Sequence, residues 1–251
     1  MTFTNNNDVK IYYTVEGHGD PLVLLHGGMM DHSYFYKFGY VPVLKDSFKL
    51  ILIDMRGHGN SDKPLDAKGY SLKLFADDII CVLDALKVDK CNVYGFSLGG
   101  WMVHSLAKYY PNRLNSIILC DGVPGSKDGQ TFQAIAKNFD ETLKPISQYQ
   151  LIKEIISTFD RQPIKAIANW MESEIDKIIT EVDSIIDDIK VPTLLFMSHH
   201  EQNTDEYRLI KKSEKTIEKS RLIHFEDYSH FDIFEKSENI TPHIIKFLKS
   251  S

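Results

Sequence analysis

The chain has 251 residues, 43% of them hydrophobic, a net charge of −6 and three cysteines. That length and apolar content suit one large core. The acidic balance, with no basic cluster, excludes the electrostatic footprint of nucleic-acid binding. The opening Met1-Thr2-Phe3-Thr4 leads into polar Asn5-Asn6-Asn7, which reads as neither a signal peptide nor a membrane span, so the expected location is cytoplasmic. Cys81, Cys91 and Cys120 form no metal-type pair and read as reduced thiols in apolar surroundings.

Val9-Lys10-Ile11-Tyr12-Tyr13-Thr14-Val15 predicts an early antiparallel strand, closed by the turn cluster Glu16-Gly17-His18-Gly19-Asp20. Pro21-Leu22-Val23-Leu24-Leu25 is a continuous apolar run, as in a strand buried on both faces, and it closes on His26-Gly27-Gly28. A helix is predicted over Ser33–Leu44. Phe48-Lys49-Leu50-Ile51-Leu52-Ile53-Asp54 gives another buried strand, ended by the glycine-rich Met55-Arg56-Gly57-His58-Gly59-Asn60-Ser61-Asp62. From Ser71 to Leu86 the apolar positions 72, 75, 79, 82, 83 and 86 recur at helical spacing, with Ser71 as a cap.

An apolar strand then runs into Val93-Tyr94-Gly95-Phe96-Ser97-Leu98-Gly99-Gly100 and on into a helix over Leu98–Tyr109, stopped by Pro111. A strand that turns directly into a helix strains the backbone at the serine and leaves no room for side chains two residues away, which is what Gly95 and Gly99 provide. The pattern is that of a nucleophile elbow, with the Ser97 oxygen presented at the sheet edge. Leu114–Cys120 is the next strand and ends at Asp121-Gly122. Strands and helices alternate throughout, predicting a mostly parallel sheet with ligands outside the strands' carboxyl ends. From residue 125 to 188 the signals are helical only, with Met171, Ile175, Ile178, Ile179, Val182, Ile185, Ile186 and Ile189 on one face. This is an all-helical insertion, read as a cap at 125–188 over a core formed by 1–124 and 189–251. Val191–Met197 resumes the sheet, Ser220–Phe225 adds a last strand, and Phe231–Leu248 is a closing helix.

Four motifs in this order, His26-Gly27-Gly28, Asp54 to Asp62, the Gly95–Gly100 elbow and Ser229-His230-Phe231, resemble the α/β-hydrolase superfamily, and the resemblance covers nearly the whole chain outside the cap. It implies an α/β fold with a mostly parallel eight-stranded sheet flanked by helices. By the same resemblance, Ser97 is the nucleophile and His230 the general base. The acid departs from the pattern: relatives usually have a glycine after the Pro-Thr-Leu-Leu strand and an aspartate three residues on, and here those places hold Ser198 and Glu201. Glu201 is the expected acid, Asp121 the alternative and Asp205 a third candidate. The oxyanion hole is expected at the amides of Leu98 and Gly28, with Met29 open as the second donor. Asp54, Arg56, Asp62, His26 and His58 are expected to brace loops. Met29 and, in the cap, Phe132, Phe139, Trp170 and Met171 are candidate pocket residues, against the alternative that such cap residues are core.

His199-His200-Glu201 is not read as a metal site, because adjacent histidines on an extended chain point opposite ways. The expected activity is hydrolysis of a small carboxylic ester or lactone-like substrate with an apolar part, through an acyl-enzyme and without a cofactor, metal or membrane partner. Epoxide- and halide-displacing relatives use aspartate at the elbow, which Ser97 argues against. Carbon–carbon bond hydrolases, aminopeptidases and perhydrolases share the serine triad, and some receptors of the superfamily keep only the scaffold.

Overall fold

The computed structural model describes residues 2–250. A single eight-stranded sheet has the order β1-β2-β4-β3-β5-β6-β7-β8. Its strands are β1 (Thr2–Asn6), β2 (Val9–Glu16), β3 (Asp20–Leu25), β4 (Phe48–Ile53), β5 (Cys91–Phe96), β6 (Leu114–Cys120), β7 (Thr193–Met197) and β8 (Ser220–His224). The first two pair antiparallel, and every pair from β4–β3 onward is parallel. The apolar runs of β3, β4, β5 and β6 are buried on both faces, as helices covering each side require.

Seven strands fall where the sequence predicts them. The eighth, β1, carries Asn5 and Asn6, which are poor strand formers, and it forms because a two-residue turn folds it back on β2, with Asn7 left-handed at φ 53°. The predicted helix over Ser33–Leu44 is two short ones, α1 (Ser33–Lys37) and α2 (Tyr40–Leu44), parted by Gly39 at φ 84°. Next come α3 (Leu72–Ala85), whose N-cap Ser71 accepts from the Leu74 amide, and α4 (Leu98–Tyr109). Leu72, Phe75, Ile79, Val82 and Leu83 turn α3 inward, each side chain contributing about 1.5–3 kcal/mol by its burial.

Between β6 and β7 there are helices only: α5 (Asp128–Lys137), α6 (Phe139–Leu143), α7 (Gln150–Thr158) and α8 (Ile164–Asp188). α8 belongs to two neighbourhoods. Its first half sets Trp170 and Met171 beside Trp101 and Phe132, while Val182, Ile185 and Ile186 near its end join the core with Leu106, Ile117 and Leu195. α9 (Asp205–Thr216) joins β7 to β8. The predicted closing helix is broken into α10 (Asp232–Glu235) and α11 (Thr241–Ser250): Lys236 leaves helical geometry at ψ 55°, and Pro242 falls in the first turn of α11, where its missing amide is tolerated. No helix among the described residues is long and apolar enough to cross a membrane.

Candidate active site

Ser97 leaves β5 and opens α4 with φ 51° and ψ −121°, a conformation that costs energy in any residue but glycine. Three glycines make the turn possible. A Cβ on Gly95 would lie 2.5 Å from the Gly99 carbonyl oxygen, one on Gly99 2.4 Å from that of Leu25, and one on Gly100 2.2 Å from the Cα of Gly122. The serine is therefore fixed by backbone packed on backbone. Its Oγ is 3.0 Å from Nε2 of His230. That histidine follows β8 in a turn tied by Ser229, whose amide and hydroxyl both donate to Asp232 Oδ2, and its ring stacks on Phe96 at 5.0 Å.

On its other side, Nδ1 of His230 lies 3.3 Å from Oδ2 of Asp121. Asp121 follows β6 with φ 43°, and its carboxylate is almost fully buried. Oδ1 accepts from the Ser198 amide at 2.9 Å and lies 3.2 Å from Nε2 of His200, while Oδ2 also accepts from the Ser198 hydroxyl. Burial alone would push the carboxyl up, but the hydrogen bonds and charges of His200 and His230 outweigh it and hold the group well below the usual carboxylate range. An anion here leaves His230 with its proton on Nδ1 and Nε2 free to accept from Ser97.

Glu201 does not occupy this place. It is exposed, and among the described residues its carboxylate makes no hydrogen bond or ion pair; only its carbonyl accepts, from Thr204. β6 lies next to β5, so the end of β6 adjoins Ser97, whereas the end of β7 is a further strand away, about 4.8 Å. Asp205 lies further off still, at the start of α9, with Oδ1 3.5 Å from Arg208. The expected acid loop instead supplies the donors Ser198 and His200 to Asp121. His200 thus turns away from any pairing with His199 and Glu201.

A profile of the alpha/beta hydrolase fold family matches residues 20–156. The chain belongs to the alpha/beta hydrolase fold family. It is 25% identical over 266 residues to the AB hydrolase superfamily protein YisY of Bacillus subtilis, covering 96% of both chains. It is 29% identical over 164 residues, 62% of each chain, to the pimeloyl-[acyl-carrier protein] methyl ester esterase of Aeromonas hydrophila. Among solved structures, the esterase EaEST from Exiguobacterium antarcticum superposes with a TM-score of 0.81 at 23% identity, over 99% of both chains.

In this hydrolase-fold chain the helical insertion roofs two cavities that meet at Ser97 and His230. The first, about 220 Å³, is apolar, with Met29, Met30, Phe132, Ile135, Leu143 and Ile152 in its wall. The second, about 260 Å³, is more polar and is lined by Asp128, His199, His200 and Glu206 beside Trp101 and Met171. Phe132 borders both and packs so closely on Gly28 that a Cβ there would meet its ring at 2.7 Å. Met29, Phe132 and Met171 therefore line the cavities. Phe139 and Trp170 do not: Phe139 stacks on Phe159, and Trp170 is buried against Tyr70 and Phe75. A larger surface hollow of about 430 Å³ between α4 and α8, beside Lys108 and Glu181, contains no imidazole or thiol.

The amides of Gly28, Met29 and Leu98 make no hydrogen bond among the described residues, and Met29 is left-handed at φ 62°. Asp128, which accepts from the Gly125 amide at 2.7 Å, has its carboxyl raised to about 6 by burial and by Glu206, against the pull of that hydrogen bond. The sequence gives no local sign of Asp128 or Glu206, since an insertion's contacts depend on how it folds over the core.

The other buried histidines stay out of this site. His26 accepts from the Met55 amide on Nε2 and donates from Nδ1 to the Gly27 carbonyl, and burial lowers its pKa. His58 donates from Nδ1 to the Arg56 carbonyl and is pushed down to about 3 by burial. Asp54 accepts from His32 and Asn60, Asp62 from the Lys10 amide, and Arg56 forms a buried two-bond pair with Asp78. Donor atoms of Asp31, His32 and Asp54 lie within 4.8 Å of one another, a spacing a metal ion could use, but Asp54 is bonded to His32 and Asp31 to Ser33.

Proposed function

We propose that the protein is a serine hydrolase that cleaves a small carboxylic ester or lactone-like substrate through an acyl-enzyme, with Ser97 as nucleophile, His230 as general base and Asp121 as the acid. The observation that carries this is the continuous contact from Ser97 Oγ to His230 at 3.0 Å and from His230 to Asp121 at 3.3 Å, opening on an apolar cavity. His230 takes the serine proton as Oγ attacks the acyl carbon, and Asp121 stabilises the imidazolium that results. The oxyanion is received by the free amide of Leu98 with that of Gly28 or Met29. His230 then delivers the proton to the leaving alcohol, and water enters by the same route to release the acid.

The apolar cavity takes the acyl part, and the cavity with Asp128 and Glu206 takes the leaving group. An aspartate at the elbow would form an alkyl-enzyme ester; a serine directs the chemistry to acyl carbon. The esterase relative from Aeromonas hydrophila supports the ester reading. The test is intact-mass analysis after a fluorophosphonate probe, with turnover measured on a panel of esters, lactones, amides and peptides. One adduct, absent in Ser97→Ala, is expected, together with a loss of ester turnover of at least ~10⁴-fold in that variant. No adduct and unchanged turnover would sink the reading and leave a ligand-binding scaffold.

A further inference from the structure

Asp121 has more partners than a carboxylate supporting one histidine needs. Oδ2 faces His230 and Oδ1 faces His200 at 3.2 Å, so two imidazoles share one buried acid. His200 leaves the end of β7 and reaches back across β6, with a side chain only 16% exposed in the wall of the cavity beside Ser97. Only a protonated Nε2 can bond a carboxylate, so His200 donates there. Three carboxylates face it: Asp121 from β6, Asp128 from α5 and Glu206 from α9. The remaining titratable groups of this cavity are His199 and His230, and neither lysine nor arginine lines it.

We infer that His200 is a positioning residue for Asp121, and that its charge governs how much of that carboxylate's field is left for His230. The inference rests on Ser97, His230 and Asp121 being the working groups. A cation on Oδ1 neutralises much of the charge that would stabilise an imidazolium on Oδ2. It therefore keeps His230 unprotonated, and able to act as a base, to lower pH. When His200 releases its proton, Asp121 is committed to His230. The two imidazoles then titrate as a pair rather than as separate sites. Burial of His200 opposes its charge, but the hydrogen bond to Asp121 and the three carboxylates raise its pKa above the ordinary value.

The experiment follows kcat and KM for a p-nitrophenyl ester from about pH 5 to about pH 9, alongside a ¹⁵N-histidine NMR titration over the same range. His200→Gln keeps an N–H near Oδ1 without the charge, and His200→Ala removes the donor. In His200→Gln the acid limb of kcat/KM and the His230 titration should both move up by about half a unit to one unit. His200→Ala should show the same shift and, at the alkaline plateau, a kcat lower by about tenfold at near-constant KM. In the unaltered protein the NMR curves of His200 and His230 should each be biphasic, which keeps the test open even if a variant fails to fold. Independent single-site curves, or an unmoved His230 midpoint in both variants, overturn the inference. Biphasic curves without ester turnover would retain the coupling and remove the hydrolase reading.

Discussion

Two clusters of buried histidine and aspartate sit at the carboxyl ends of this sheet, and only one faces a cavity. At the ends of β3 and β4, His26, Asp54, Arg56 and His58 spend their hydrogen bonds inward. Arg56 is paired with Asp78, and Asp78 also accepts from Asn6 of the edge strand β1. Burial lowers the pKa of His26 and His58, while for His32 burial is outweighed by the hydrogen bond and charge of Asp54, which raise it. At the ends of β6 and β7, with the loop after β8, Asp121 is equally buried, but the histidines on it are 16% and 37% exposed and one reaches Ser97. What separates them is the reach to a serine: Asp54 and Asp121 each hold a part-exposed histidine, His32 and His200, but Asp121 also faces His230, which contacts Ser97.

Substitutions should pull the two clusters apart in opposite ways. The largest effect is expected on Asp121→Asn, which keeps the shape but no longer holds the imidazole tautomer; kcat for an ester should fall about 10⁴-fold. Glu201→Gln, measured in parallel, should leave kcat within about twofold, as suits an exposed loop carboxylate. A thousandfold loss in Glu201→Gln with Asp121→Asn active would restore the acid first expected. In the sealed cluster, Asp78→Ala strands Arg56 without its partner, and denaturant melts should show a loss of about 3–5 kcal/mol. Turnover per folded molecule should stay close to normal there, and a large fall in kcat would mean that the clusters are coupled.

The smallest effect concerns Asp128. Its folded pKa of about 6 is raised above the unfolded value, so the group destabilises the fold as pH rises from near 4 to near 6, and the cost persists above that. Asp128→Asn should therefore melt a few degrees higher at about pH 8 and level with the unaltered protein below about pH 4. Ionisation also places a negative charge in the cavity, so KM for an anionic ester should rise through about pH 6 in the unaltered protein and not in the variant. A flat comparison of the two proteins would remove Asp128 from the cavity's electrostatics.

The meeting of Ser97 with His230 was legible because its determinants are local: glycines that relieve an elbow, and a histidine in the turn after the last strand. The carboxylate that meets His230 was legible only as the alternative, Asp121, because the Ser198 and His200 donors that hold it come from the end of the neighbouring strand. Ser198 was visible as a departure from the family pattern, yet its meaning, two donors aimed at Asp121, required the neighbouring strand to be in place. The same holds for β1, whose asparagines pair because β2 is there, and for α8, whose single apolar periodicity serves the cap at one end and the core at the other. Phe139 and Trp170 have the composition of pocket residues and the packing of core residues, and only the three-dimensional neighbours decide.

The contact between Gly100 and Gly122 has a consequence for tolerance. One residue lies in the first turn of α4, three positions after the serine, and the other directly follows Asp121, and in both directions an added carbon would strike backbone, at 2.2 Å and 2.8 Å. Ser97 and Asp121 thus stand on either side of one close backbone contact. A side chain at either glycine would force the two segments apart, and Ser97 and Asp121 with them.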